Sequence, residues 1–345
     1  MRRTLVALLV TAAACGGSSK PPTTPLPPDP QPEPDKPADS DKPPAKPEPP
    51  KAAEPLQPLD ASFPAPKTTV KLVNAGKGKR APLKLTPKAG TKQQVEIVFD
   101  IGEHQGAPEE LGGNIDTQYP SIVLVGDAEV TAVDPAGAAT YTLAITGTDI
   151  HADKAKNPPA PVDDIKKAIA TVQGLTLAST IDASGTQGDT KLHVEKPQAP
   201  TARVLSQLLP LWPAFPVLPA EPVGVGAKWQ VTTAAKVMIG MVAIDVTHTT
   251  EYELVSHTGT AWTIKGTAKV AGDDQAQGDA KVQKIGGEGD TAFTFVDGAL
   301  YPTTNAHLAT SFQAIVSGPD QTGAVKSATL DIKLVQDTQL TPKSP

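Results

Sequence analysis

The chain has 345 residues, 37 prolines, a single cysteine and a formal net charge of −6. Charges of both signs are spread along it, which argues against the clustered basic footprint of a nucleic-acid binder. One cysteine excludes an intrachain disulfide, and with aromatics at only 4% the core must rest on Val, Leu, Ile and Ala.

The N-terminus reads as an export signal. Arg2 and Arg3 give a positive start, and Thr4 to Ala14 is an apolar run ending in small residues. That run of about 11 residues is too short to cross a bilayer, which takes about 20. Cleavage after Ala14 would leave either a free thiol or a modified one. The stretch Ala12-Ala13-Ala14-Cys15, followed by Gly16-Gly17-Ser18-Ser19, resembles the lipobox of bacterial lipoproteins, with Ala12 where Leu is usual. The resemblance implies that residues 1–14 are a signal peptide cut by lipoprotein signal peptidase. It also implies that Cys15 carries a diacylglyceryl thioether and usually an acylated amine, so that membrane lipid is a partner. Two or three acyl chains hold a protein on a membrane far more firmly than one. Gly16, not Asp, follows the cysteine, which by the enterobacterial sorting rule implies the outer membrane.

Residues 15–66 read as a disordered tether, because eighteen prolines fall between Pro21 and Pro66. Proline fixes φ and removes donors, so neither helix nor sheet runs through such a stretch, and apolar side chains are too few to order it. A spacer is the plain reading. A ligand for a proline-recognition module, or a grip on cell wall, is the alternative.

Residues 67–337 read as a β-rich head. Apolar residues alternate at Val95, Ile97, Phe99 and Ile101, at Tyr141, Leu143 and Ile145, and at Trp262, Ile264, Ala268 and Val270. They alternate again at Phe293 and Phe295, at Leu308, Phe312, Ala314 and Val316, and at Leu330, Ile332 and Leu334. One buried and one wet face is the habit of antiparallel sheets. Turn signals stand between the runs at 134–137, 183–185, 257–259 and 297–298. Two short helices are predicted, one on Ile165, Ala168, Ile169 and Val172 behind Asp163 and Asp164, the other on Val204, Leu205 and Leu208 before Pro210. The predicted fold is therefore mainly β with a minor α part: antiparallel meanders forming a curved sheet or half-barrel around two short helices. The stretches 128–148 and 250–267 share a strand, a Gly turn and an aromatic strand ending Gly-Thr. This suggests two related halves, 67–200 and 201–337, although hairpin chemistry alone produces such likeness. Residues 338–345 are expected to be a disordered tail.

The segment Leu209 to Thr232 is the most distinctive. Its Pro222-Val223-Gly224-Val225-Gly226-Ala227-Lys228-Trp229 resembles a Pro-Val-x-Val-Gly-x-x-Trp motif of β-rich bacterial envelope proteins of unknown function. Pro87-Lys88-Ala89-Gly90 before the first long strand fits as well. The resemblance spans about 80–335 and implies fold, not chemistry. Trp212, Phe215 and Trp229 read either as a plug of core at one end of the sheet or as the mouth of an apolar pocket or partner patch.

No catalytic constellation is apparent. His104, His151, His193, His248, His257 and His307 lack metal-ligand spacing. There is no nucleophile elbow, and Gly76-Lys77-Gly78-Lys79 lacks the Walker spacing. Asp163-Asp164 suits a helix start, and Asp273-Asp274 sits in a polar loop without the pattern of a calcium site. The run Lys77, Lys79, Arg80, Lys84, Lys88 and Lys92 reads as a solvated face, or as a contact for acidic lipid or polysaccharide. No cofactor and no metal is expected. The sequence favours a membrane-anchored envelope lipoprotein with a non-catalytic binding or scaffolding head. A carrier or sensor of a hydrophobic lipid ligand is the alternative, and a cell-wall or polysaccharide enzyme a third reading.

Overall fold

The computed structural model describes residues 57–109, 113–213, 215–239, 242–277, 280–319 and 325–343. Residues 1–56, with the expected signal, Cys15 and most of the tether, lie outside them. The described chain is mainly β, as predicted, with two helices and one large antiparallel sheet.

Two meanders build that sheet. The first comprises β4 (Lys92–Gly106), β6 (Ser121–Val133), β7 (Ala139–His151), β8 (Thr176–Ile181) and β9 (Thr190–Val194), with the short β5 (Ile115–Gln118) on the far half of β4. The second comprises β11 (Lys228–Ile239), β12 (Val242–Thr258), β13 (Ala261–Gly272), β15 (Ala280–Val296), β16 (Thr303–Pro319) and β17 (Val325–Lys343), with β14 (Gln275–Gln277) on β15. The meanders join where β17 pairs with β4, from Asp331↔Gly106 to Lys343↔Gln94. β3 (Lys77–Ala81) and β10 (Val223–Val225) form a separate two-stranded ribbon.

The edges of the sheet are formed by consecutive pieces of chain. β1 (Leu59–Phe63) pairs with β9, and β2 (Thr68–Asn74) pairs with β11 at the opposite edge. The hydrogen-bonded path is open, yet only Pro64, Ala65, Pro66 and Lys67 separate its two ends. At full extension five Cα steps span at most about 18 Å, so the sheet must curl until its edges nearly meet. The Ala65 amide donates to Asp189 Oδ1 at 2.8 Å and fixes this link beside β9.

Alternation dictates what the curl encloses. Val95, Ile97 and Phe99 on β4, Tyr252 and Leu254 on β12, Trp262 and Ile264 on β13, and Phe293 and Phe295 on β15 are buried together. Trp262 stacks on its cross-strand neighbour Phe295 with centroids 4.2 Å apart. The predicted helices are α1 (Val162–Ala170) and α2 (Thr201–Leu208). Asp163 and Asp164 occupy the first turn of α1, where the helix dipole favours anions. Ile169, Val172, Val204, Leu205 and Leu208 pack into the same core. A second, smaller cluster of Ile244, Val246, Val270, Val282, Ile285, Phe312 and Ala314 fills the far end of the long strands.

Two boundaries differ from those the sequence suggests. β1 lies inside the stretch expected to be tether, because its register with β9 comes from tertiary pairing and not from local pattern. Residues 338–343 of the expected tail are the end of β17: Thr338 and Leu340 are buried and pair with Phe99 and Ile97. Truncation after Asp337 should therefore lower stability by at least about 3 kcal/mol, and Leu340→Ala alone by about 2–5 kcal/mol. Urea denaturation checks both, and an unchanged midpoint would return these residues to a peripheral role.

Candidate functional site

The Leu-Pro segment enters the core and stays there. Trp229 is fully buried. Its indole Nε1–H donates to the Val217 carbonyl at 2.8 Å, and its ring lies 5.7 Å from Tyr252. Phe215 is also buried, stacked on Tyr301 at 5.1 Å and edge-on to Tyr141. Trp212 is half-buried and packs 6.4 Å from Phe99. The Leu218 amide donates to the Ser184 carbonyl. Gly185, at positive φ, allows the Pro216 carbonyl to come where a Cβ would stand 2.4 Å away. Phe215 and Trp229 thus serve as core, and only Trp212 keeps partial access to solvent. Burial pushes the Tyr141 and Tyr252 hydroxyls up to about 12, so both stay protonated.

The motif around Trp229 acquires a physical meaning. Val223 is buried, and Gly224 passes so close to β3 that a Cβ would lie 2.2 Å from the Lys77 carbonyl. Gly226 turns at φ +78, and its amide donates to the Leu254 carbonyl. The spacing places one Trp at the start of β11, facing inward.

Beyond the plug, the inner face carries a polar tier that the sequence did not single out. His248 on β12, Thr310 on β16 and Gln336 on β17 line a cavity of about 70 Å³ with Pro210, Leu211, Ala235, Leu308 and Leu334. Gln336 Nε2 donates to the Leu211 carbonyl at 3.3 Å and to Thr338 Oγ1 at 3.0 Å. His248 Nε2 is buried without a hydrogen-bond partner. Burial lowers the His248 pKa and keeps the ring neutral. Near α2, the Tyr119 hydroxyl is pushed up to about 12, mostly by burial and then by Glu103. Glu103 accepts from Gln105 Nε2 at 2.6 Å. Strict alternation along β4, β12 and β17 could have flagged these inward polar residues.

Such a cavity holds a few waters, at about 15 Å³ each on this measure. Pockets for small-molecule ligands run from about 300 Å³. A second depression, about 250 Å³ and open to solvent, is lined by His104, Lys284, Ser311, Phe312, Gln313, Asp331, Ile332 and Lys333. Its Ser311 and His104 are both register partners of Lys333. They stand two strands apart, about 9.6 Å, too far for a nucleophile–base bond.

The other histidines are half-buried or exposed, and most have partners. His104 meets Asp116 at 2.6 Å, His307 meets Asp337 at 2.8 Å, and His151 lies 3.8 Å from Asp149. His193 lies between Asp60 at 2.9 Å and Glu195 at 3.1 Å, which raise its pKa. Among the described residues, no three His, Cys, Asp or Glu side chains are placed to hold a metal ion.

No protein-family model and no curated protein matches the chain. Among solved structures, it is similar to the Pseudomonas aeruginosa protein OccK11, at 8% identity over 75% of this chain and 99% of that one, with a TM-score of 0.18. An outer membrane channel of Pseudomonas putida F1 gives 8% identity over 77% and 100%, with a TM-score of 0.19. Scores this low reflect no shared arrangement of strands, and no property of those proteins passes to this one.

Two outcomes test the interior. Trp229→Phe leaves the Val217 carbonyl unpaired and opens a void, and should lower stability by about 2–4 kcal/mol in chemical denaturation. His248, with its folded pKa depressed, binds its proton more readily when unfolded. Its contribution is fully favourable above about pH 6.5 and is lost as pH falls through the lowered folded pKa. His193 acts in the opposite direction, its stabilisation being present below about 6.5 and lost as pH rises through its raised pKa. His248→Leu should therefore remove a loss of stability between pH 7 and pH 5 that the unaltered chain shows, as read from urea midpoints at the two pH values.

Proposed function

We propose that the protein is an exported lipoprotein of the bacterial envelope, held on a membrane by acyl chains at Cys15, whose head binds or scaffolds without catalysis. One observation carries the reading: the only cysteine stands directly after an apolar run ending Ala12-Ala13-Ala14 and directly before Gly16-Gly17-Ser18-Ser19. Cleavage there would leave 43 residues between Cys15 and the first described strand at Leu59. At the rise of polyproline II they would reach roughly 130 Å. The similarity of 222–229 to a motif of envelope proteins is in keeping with this address, and Gly16 favours the outer membrane. A binding or scaffolding head is in keeping with the burial of Phe215, Leu218 and Trp229 as core, and the cavity beside His248, about 70 Å³, is too small for an acyl chain.

Intact-mass measurement of the mature protein tests the proposal. The expected mass is that of residues 15–345 plus a diacylglyceryl group and an amide-linked acyl chain. Cys15→Ser should abolish both the lipid modification and the cleavage after Ala14, so that the variant keeps residues 1–14. A mature product with an unmodified thiol at Cys15 would overturn it.

A further inference from the structure

Charge is segregated in one part of this acidic chain. Between Asp60 and Glu96 there are eight cations (Lys67, Lys71, Lys77, Lys79, Arg80, Lys84, Lys88 and Lys92) and no acid. Folding sets most of them along one margin of the head. The turn from β2 into β3 is pinned by the Gly76 amide, which donates to Asn74 Oδ1 at 2.9 Å. It is pinned again by the contact of Gly76 with the Gly224 carbonyl, where a Cβ would stand 2.2 Å away. β3 then presents Lys77, Lys79 and Arg80 exposed. The chain continues with Leu83, Leu85 and Pro87 buried and Lys84, Thr86 and Lys88 exposed between them, so two further cations are directed outward.

Lys67 and Lys71 are exposed and, among the described residues, make no ion pair, whereas two other lysines of the region do. Lys92 is bridged to Glu129, and Lys228 to Glu251 and Glu253. Among the described residues, Lys77, Lys79, Arg80, Lys84 and Lys88 make no ion pair, and the Arg80 guanidinium only donates to the Gly76 carbonyl. The same margin exposes aliphatic side chains. Val225 lies directly opposite Lys77 in the ribbon and is 46% exposed, and Val73 at the end of β2 is 57% exposed. Val255 is also exposed, next to Leu254, whose backbone bonds to Gly226 and Ala227.

We propose that this margin is a docking surface for an anionic lipid bilayer. Unpaired cations are drawn to a negative leaflet, whose potential decays within a Debye length. The valines discriminate between anionic partners: a polysaccharide would satisfy the cations alone, whereas a bilayer also receives exposed aliphatic groups at its headgroup boundary. Asp182 stands next to Ala183, whose carbonyl accepts from the Leu85 amide, and Asp297 stands next to Gly298 near Lys88, so contact is expected to centre on β3 and not to run across the whole end of the sheet. The proposal does not require acylation of Cys15.

The test uses residues 15–345 carrying Cys15→Ser, which removes any anchor, and vesicles of phosphatidylcholine with or without phosphatidylglycerol. Co-sedimentation is expected with the anionic vesicles at low salt, declining steeply as salt rises, and not with the neutral ones. The variant K77Q/K79Q/R80Q should bind roughly a hundred-fold more weakly, at about five-fold per cation. K265Q/K269Q, on the exposed face of β13, should bind as the parent does. V73S/V225S should weaken vesicle binding without altering retention on dextran sulfate. The proposal is overturned if the parent chain ignores anionic vesicles, if K265Q/K269Q loses as much as the triple variant, or if dextran sulfate is bound and vesicles are not.

Discussion

Pro64 to Lys67 span the gap between the first and last strands of a thirteen-strand path, and four residues reach no further than about 18 Å. A sheet of this width with free edges would twist and splay. Here the covalent link holds its margins together, so one face becomes an interior and the other an exterior. Every inward side chain from β4 to β17 then needs a neighbour across the enclosed space. A curled sheet of this circumference is too wide for its own side chains to fill it.

The filling comes from α1, α2 and the segment 209–222, and the composition of that segment suits the task. An irregular stretch buried away from water normally carries backbone amides with no acceptor. Between Trp212 and Ala220, Pro213, Pro216 and Pro219 have no amide hydrogen, so three of seven such groups are absent from the start. Phe215 and Leu218 supply apolar surface between them, each worth about 1.5–3 kcal/mol when fully buried. Trp229 closes the arrangement by donating to a carbonyl of the same segment. The filling stops short of the far cluster around Ile244 and Phe312, and the polar tier of His248, Thr310 and Gln336 occupies the level between.

The architecture was legible where local chemistry decides it. The alternation of Val95, Ile97 and Phe99, the turn at 183–185 and the acidic start of α1 all rest on neighbours within a few residues, and all appear in the structure. The features that escaped notice are tertiary. Leu59–Phe63 becomes a strand only because β9 offers its edge, and Thr338 and Leu340 are ordered because β4 lies alongside. The three aromatics could be assigned to core or to pocket only once the burial of Phe215 and Trp229 was known. The depth of His248 depends on Pro210 and Leu211, which line the same cavity, and its inward direction is written only in the alternation of β12. The cationic stretch was visible at once, whereas its separation from neighbouring carboxylates was not.

The position of β17 sets an order of events. It follows every other strand in the chain, yet it sits in the middle of the sheet, pairing with β16 on one side and with β4, more than two hundred residues earlier, on the other. The two meanders are each built from near neighbours, but the second is completed by β17 itself, and the ladder that unites it with the first forms only with that strand. Contacts of such long sequence separation form slowly. Until then, β4 keeps one flank bare and the apolar interior stays accessible, a state prone to association with other chains. Without β17, the strands from β4 to β9 and from β11 to β16 would have no ladder between them.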